Sequence, residues 1–307
     1  MIFPVYNSRL SAMATCETQA LMQYVYDFQK AEESVAAECG KAAHVALAHH
    51  FAGGAMGDCL DAFEREYREL SEKEVATDDR LDWRNVRDVL QRYIETHSVE
   101  RFPFEPIVEG IETPVMVPLI DGEVEFYALI DLPSRDKATG GRYPVDHKTT
   151  GRITSWWAKK FHLSSQMTGY MYAESVHSGE AVPGAFINAI ELGKLPTAKT
   201  KCRVHKVPYY ECRLEHTKFE LFVVNRTPPA MEQWLKDAKV LAMKFKTMAL
   251  ALPKVEMIGF AKQQGVFNNG CTFCDFKDFC AAGRPPEMAA SMFIKKRWAP
   301  WDERVRG

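Results

Sequence analysis

Apolar residues recur three and four positions apart through ALMQYVYDFQKAEESVAAECGKAAHVALAHHF, the period of an amphipathic helix. The same texture, rich in Ala, Glu, Leu and Met, predicts helices from about Ser11 to Leu70, broken at Gly53-Gly54 before DCLDAFEREYREL. A further helix is expected near Trp83 to Glu95. After Pro103 the period shortens. EPIVEGIETPVMVPLI, EVEFYALIDL and RYPVDHKT are β-rich runs separated by turn residues. TSWWAKKFHLSSQMTGYMYAESV returns to helical spacing, with Thr154 or Ser155 as N-cap. GAFINAIEL and HKVPYYECRL read as strands, and helices follow from about Thr217 to Leu250, split in two by Pro228 and Pro229.

There is no internal repeat and no low-complexity segment. Helices, three strands, a helix, strands and helices, in that order, argue a mixed α/β core with a helical cap. The segments that follow are residues 1–102, a helical region; 103–215, the β core with its helix; and 216–307, C-terminal helices and a cysteine loop, all intertwined as one domain.

Composition narrows the class without naming a function. No run of roughly 18 apolar residues occurs, so no membrane span is expected. MIFPVYNSRLSAMATCE has no basic segment leading into an apolar stretch, so secretion is not expected. Eight cysteines without a dense framework spacing point to a reducing compartment, and the expected location is cytoplasmic. Clustered cysteines there bind metal more often than they form disulfides. A net charge of −2 means that any nucleic-acid surface is a local patch.

The chemistry concentrates in RYPVDHKTT. Asp146 and Lys148 are two apart, so a strand presents both on one face. The preceding run ends in YALIDL, and PSRDKATGG between them is built from turn formers. A hairpin centred near Asp136 to Ala138 would set Asp131 opposite, or nearly opposite, Asp146. Two carboxylates that close are costly unless a cation sits between them. Hard oxygen ligands of this kind suit Mg²⁺ or Mn²⁺. Asp-x-Lys is also a commonplace solvated face, and Pro144 removes one ladder hydrogen bond, so the strand is an edge or starts irregularly. His44 in GKAAHVALAHHF reads, by itself, as a core histidine. Gln166 and Tyr170 share a helix face at i, i+4, which by itself reads as packing.

CTFCDFKDFC holds Cys271-x2-Cys274-x5-Cys280, three thiols where a tetrahedral site wants four. By spacing alone zinc, which could recruit a histidine, and iron–sulfur fit equally. Cys202 and Cys212, with His205 between them, read as ordinary strand cysteines, and Cys39 and Cys59 as core residues.

In chain order these pieces resemble the RecB-like branch of the PD-(D/E)XK nucleases. That branch has a helical histidine after a glycine, an aspartate ending one strand, Asp-x-Lys on the next, and then a Gln-x3-Tyr helix. The matching residues are Gly40 with His44, Asp131, Asp146 with Lys148, and Gln166 with Tyr170, over roughly residues 8 to 280. The chain is more similar still to the AddB-type, CRISPR-adaptation and exonuclease V-type nucleases, which carry a C-terminal iron–sulfur cluster.

The resemblance implies an α/β, restriction-endonuclease-like (PD-(D/E)XK) core with a central mixed sheet, an N-terminal helical cap and a C-terminal iron–sulfur cluster loop. It also implies the fourth thiol, Cys16 in NSRLSAMATCETQALMQYVY. Cys16, Cys271, Cys274 and Cys280 are the four ligands that a [4Fe–4S] cluster usually takes. Such a cluster would close a loop whose entropy is on the order of 5 kcal/mol by analogy with disulfides. The implied activity is a Mg²⁺- or Mn²⁺-dependent DNA exonuclease. His44, Asp131 and Asp146 would hold the ion, Lys148 would assist the attacking water, and Gln166 and Tyr170 would position the strand. Ala128 stands where the family often has glycine, a change that tightens packing and puts little in doubt.

No nucleotide-binding Gly-x4-Gly-Lys-Ser/Thr loop is present. The chain would work alone, or with a helicase or single-strand-binding protein as partner. The competing expectation is a non-catalytic iron–sulfur DNA-binding subunit of a recombination or CRISPR-adaptation complex. Candidate DNA contacts are Lys194, Lys199, Lys201, Arg203 and Lys206 in one basic run, and Trp156 and Trp157 beside Lys159 and Lys160. KKRW, Lys295 to Trp298, adds to these. Aromatics interleaved with cations favour single-stranded or end-containing DNA. Lys159, seven before Gln166, would share its helix face.

Overall fold

The computed structural model describes residues 2–31, 34–67, 74, 78–193 and 201–297. The chain opens with β1 (Phe3–Tyr6), α1 (Asn7–Thr15), α2 (Glu17–Tyr24) and β2 (Phe28–Gln29), then α3 (Val35–Phe51), α4 (Met56–Glu66) and α5 (Trp83–Thr96). Next come β3 (Phe104–Pro106), β4 (Pro114–Ile120), β5 (Val124–Leu129), β6 (Ser134–Asp136) and β7 (Val145–Thr150). They lead into α6 (Ser155–Lys159), α7 (Ser165–Ser178) and β8 (Gly184–Glu191). The rest is α8 (Tyr209–Cys212), β9 (Phe219–Asn225), α9 (Pro228–Ala251), α10 (Lys277–Ala281), α11 (Pro286–Met292) and β10 (Ile294–Lys295).

These elements sort into two compact units, each discontinuous in sequence. The first takes Met1–Glu33, Pro114–Ala128 and Pro228–Gly307, and the second takes Ser34–Thr113 and Leu129–Thr227. In the first, β1 pairs parallel with β5, and the sheet order is β1-β5-β4. β4 alternates buried and exposed positions, the signature of a sheet with one face packed and one wet. Chain ends meet there in a core of Leu21, Met22, Phe28, Ile258, Phe276, Phe279 and Phe293.

The second unit is built on a mixed sheet of order β7-β8-β9. β7 and β8 run parallel, with Asp146 across from Ile187, and β9 is antiparallel to β8. All but the last residue of β8 is buried, as expected of a central strand covered on both faces. α3 starts at Ser34, whose side chain accepts a hydrogen bond from Ala37 N at 3.2 Å, the usual N-cap. Its small residues Ala42, Ala43 and Ala46 join Leu47, Phe51, Leu90, Tyr93, Phe104, Val145 and Phe186 in one core. The predicted α/β class with a mixed sheet is therefore present. No described helix is long and apolar enough to cross a membrane.

Three local expectations fail, each for a readable reason. HKVPYYECRL is not a strand: Pro208 precedes α8, and a 3₁₀ turn, Arg213–His216, follows it. Proline has no N–H for a ladder and a φ already suited to a helix start. The strand of this region is β9, placed where helix was expected, and Pro228 and Pro229 open α9 instead of splitting it, since the first turn needs no donor from them. The Trp156 to Ser175 stretch is also not one helix. After α6 a 3₁₀ turn runs to Leu163, and Ser164 caps α7 by accepting from Met167 N at 3.4 Å. Lys159 and Gln166 thus lie on different helices and share no face.

Phe51 is fully packed and stacks on the His147 ring, with centroids 5.1 Å apart and planes at 15°. Phe51→Ala is expected to cost about 3–5 kcal/mol of unfolding free energy. Chemical denaturation followed by circular dichroism measures it.

Candidate active site

The two acids are brought together by a hairpin. Leu132 N donates to Val145 O at 3.2 Å, and Val145 N donates back to Leu132 O at 2.8 Å. Arg135 bridges Arg142 further along. That register sets Asp131 across from Asp146, and directly opposed residues share a face. Both are buried, at 6% and 1% exposure. His147 N donates to Asp131 Oδ2 at 2.8 Å, so the middle residue of Asp-x-Lys fixes the first carboxylate.

α3 supplies the third group. His44 Nε2 lies 2.8 Å from His147 O, and a carbonyl only accepts, so Nε2 carries the proton. Nδ1 then faces Asp131 Oδ2 at 3.5 Å and Glu112 Oε1 at 3.8 Å. An imidazole lone pair aimed between two carboxylates calls for a cation there, either a second proton on the ring or a metal ion. The ligating atoms of His44, Glu112 and Asp131 all lie within 4.8 Å of one another. The Nε2–carbonyl hydrogen bond is the kind of outer contact that orients a histidine ligand.

Asp146 stands across the hairpin from Asp131, outside that three-residue group. Its Oδ1 accepts from Lys148 Nζ at 2.7 Å, while its buried Oδ2 has no partner among the described residues. Burial pushes the Asp146 carboxyl up to about 6; Lys148 pulls against this and Asp131 adds to it. Asp131 goes the other way. Burial would raise it, but His44, Lys148 and His147 together hold it below the usual range. Lys148 is raised, because Asp146 and Asp131 outweigh burial. Two carboxylates, a histidine nitrogen and an orphaned oxygen form a donor set suited to a hard divalent cation. Burial holds His147 neutral, its value lowered to about 3; its Nδ1 sits 2.9 Å from Asn188 Nδ2, which also donates to Tyr93 OH at 2.8 Å.

Gln166 Nε2 donates to Tyr170 OH at 3.0 Å along α7. Tyr170 is raised well above its ordinary value by burial, then by the charges of Asp131 and Asp146. The structure therefore brings together His44, Asp131, Asp146, Lys148, Gln166 and Tyr170. It adds Glu112, for which EGIETP held no signal: Glu112 reaches the site from a left-handed backbone, φ 52°, with its N–H on Asp131 O at 3.3 Å.

The proposed DNA contacts are scattered. Trp156 is 81% exposed and carries Lys159 Nζ 5.3 Å from its ring centre, forming an open cation–aromatic ledge. Lys160 lies over Trp157 at 4.6 Å; burial lowers it, Lys148 lowers it further and Asp146 raises it. Lys201 and Arg203 are exposed. Lys194, Lys199 and Trp298 lie outside the described residues.

In the other unit, Cys16 sits in extended backbone between α1 and α2, φ −163°. Cys16, Cys271, Cys274 and Cys280 line one small cavity with Gly265 and Gly270. A Cβ at Gly265 would stand 3.1 Å from Cys271 Sγ and 3.7 Å from Cys16 Cβ, so glycine leaves the thiols their room. Burial, then the neighbouring thiols Cys274 and Cys16, pushes Cys280 up to about 11. Cys202 and Cys212 are not strand cysteines: they converge with His205 and His216. Cys39 and Cys59 are fully buried.

The sequence matches the family described as the PD-(D/E)XK nuclease superfamily over residues 7–281. A solved structure from Eubacterium rectale, named "Putative exonuclease", is similar at 12% identity and a TM-score of 0.48, covering 97% of this chain and 91% of its own. No curated protein matches.

Without a cation, the folded chain holds the Asp146 proton more tightly than the unfolded chain does. Between about pH 4, the ordinary carboxylate value, and about pH 6 that stabilisation is lost as pH rises. A divalent ion replaces the proton, so its own stabilisation grows over the same window. The Tm rise on adding Mn²⁺ is expected to be larger at about pH 7.5 than at about pH 5, and to vanish in Asp146→Asn. Equal rises at both pH values, read by scanning fluorimetry, would break the link.

Proposed function

This chain belongs to the PD-(D/E)XK nuclease superfamily, and from that premise we propose that it is a metal-dependent DNA nuclease of the RecB-like branch, an exonuclease acting on single strands or ends. The observation that carries the reading is the opposed pair Asp131 and Asp146, with His44 Nδ1 aimed at the first and an oxygen of the second without a partner among the described residues. His44, Glu112, Asp131 and Asp146 would hold Mg²⁺ or Mn²⁺. Bound there, the ion would polarise a phosphoryl oxygen and make water a better nucleophile.

The chain's own groups do the positioning. Lys148 Nζ donates one hydrogen bond to Asp146 Oδ1, which leaves two N–H bonds to orient water and to face the charge that grows on the phosphoryl oxygens. Gln166 and Tyr170 offer an amide and a hydroxyl beside the acids to seat the phosphodiester. The buried, neutral His147 adds no charge of its own and braces the strand through its backbone. Exposed Trp156 with Lys159 suits an unstacked base and its phosphate, which supports a single-strand preference.

Cys16, Cys271, Cys274 and Cys280 would hold a [4Fe–4S] cluster, joining the first helices of their unit to its C-terminal segment. Its role is structural. Glu17 already ties these segments together by accepting from Lys244 Nζ at 2.8 Å and Lys262 N at 2.8 Å. Reduced thiols of this kind suit the cell interior, and the pathway is DNA recombination, repair or replication. The chain's partner would be a helicase that unwinds the duplex or a single-strand-binding protein that coats the strand.

The test is digestion of 5′- and 3′-labelled single- and double-stranded DNA with Mn²⁺. Asp146→Ala is expected to abolish cleavage, and Lys148→Ala to lower it by about 10²–10³-fold. Cleavage that survives Asp146→Ala or excess chelator overturns the assignment. DNA binding without cleavage under any divalent ion supports the non-catalytic alternative. For the cluster, anaerobic protein is expected to be brown with about four irons per chain and to lose them in Cys274→Ser. A colourless, iron-free preparation refutes it.

A further inference from the structure

Between β8 and β9 lies a segment that neither the nuclease site nor the cysteine cavity of the other unit uses. Residues 201–216 bury little of their own: Lys201, Arg203, His205 and Lys206 are exposed, and Val204 is 70% exposed. A stretch this poor in core needs another source of order. Yet its two cysteines are buried, at 3% and 5% exposure, and both turn toward the same two histidines.

We propose that Cys202, His205, Cys212 and His216 are a structural zinc site that staples this segment. The geometry is that of a tetrahedron's edges. Cys202 Sγ lies 3.3 Å from His216 Nε2 and 3.8 Å from His205 Nδ1, and Cys212 Sγ lies 3.7 Å from His216 Nε2. Zn–S bonds of about 2.3 Å and Zn–N bonds of about 2.0–2.1 Å at tetrahedral angles give S···N edges of about 3.6 Å. All four ligand atoms fall within 4.8 Å of one another.

Each half of the site is held by local structure. Cys202 and His205 sit on a tight turn in which His205 N donates to Cys202 Sγ at 3.4 Å. Lys206 adopts φ 64° there, and Cys202 N closes the turn on Val207 O at 2.8 Å. Cys212 and His216 are four apart across α8 and the 3₁₀ turn, the spacing that puts two side chains on one helical face. His205 turns Nδ1 inward, and its other nitrogen faces Glu215 Oε2 at 3.5 Å, the carboxylate–histidine pairing that orients zinc ligands. The His216 ring stacks on Tyr209, with centroids 5.1 Å apart and planes at 13°.

Two thiolates and two imidazoles select zinc over the hard cations that suit the acidic site. Two thiolates also balance its charge exactly once their protons are released to solvent. The stapled turn is moored through Arg213, which pairs with Asp88 and donates to Asn85 Oδ1 at 3.3 Å on α5. Zinc would thereby fix the exposed cations Lys201 and Arg203 in place. The proposal does not rest on the nuclease reading.

The experiment is metal analysis of the full chain by mass spectrometry, with Co²⁺ exchange followed optically. About one zinc per chain is expected, falling on the order of tenfold in Cys202→Ser/Cys212→Ser with iron unchanged. Cobalt should give the intense visible bands of a tetrahedral site with thiolate charge transfer. Glu215→Gln, at an exposed position, should leave the fold intact and weaken zinc affinity about 10–100-fold. This keeps the proposal falsifiable if the double variant fails to fold. Absence of zinc, zinc unaffected by both variants, a Cys202–Cys212 disulfide, or rapid alkylation of both thiols in the purified protein would each overturn it.

Discussion

Two buried carboxylates on opposite strands of one hairpin dominate the electrostatics of this chain. Asp131 and Asp146 share a face and are almost wholly removed from solvent, where neighbouring negative charges repel far more strongly than in water. The surrounding groups divide the problem unequally. Asp131 receives a backbone N–H and the histidine, and stays ionised easily. Asp146 receives Lys148 on one oxygen and, among the described residues, nothing on the other. Lys148 offsets part of this charge and leaves one gap, which sits on Asp146.

That gap explains the scaffolding. β7, which carries Asp146, is parallel to β8, a strand buried along all but its last residue, so Asp146 stands on a well-packed strand pair of its unit. His147 contributes three ways without using its charge. Its N–H holds Asp131, its carbonyl holds His44, and its ring fills space against Phe51. Asn188 and Tyr93 brace the ring from behind. The residue at the middle of Asp-x-Lys thus ties Asp131 and His44 to one strand through its backbone, although it touches no substrate in the proposed mechanism.

What the sequence disclosed follows from what determines each feature. The hairpin register was legible because PSRDKATGG demands a turn and a period of two then dictates the partners. Gln166 and Tyr170 were legible because i, i+4 is a property of any helix. Glu112 was not, since a left-handed residue in a loop carries no periodic trace. The Cys202 to His216 group was misread as strand because apolar and aromatic content outweighed the single signal that mattered, Pro208. Ser164 was likewise a better guide than the apolar spacing around it: a serine that can cap a new helix ends the old one, and so separated Lys159 from Gln166.

The orphaned oxygen on Asp146 is the feature that stability alone would remove. An unsatisfied buried acceptor costs about 1–3 kcal/mol, a sizeable part of the roughly 5–15 kcal/mol that holds a domain folded. An asparagine there would keep the shape and shed the repulsion with Asp131. A carboxylate left wanting, opposite another that is already satisfied, makes sense only if something positive completes it from outside the chain. The same reasoning separates the three sites by chemistry. Oxygen-rich and histidine-tipped, the acidic pair suits a hard ion that keeps water in its shell. The four thiols around Gly265 and the mixed sulfur–nitrogen set at Cys202 suit softer metals that exclude water and hold the chain in place.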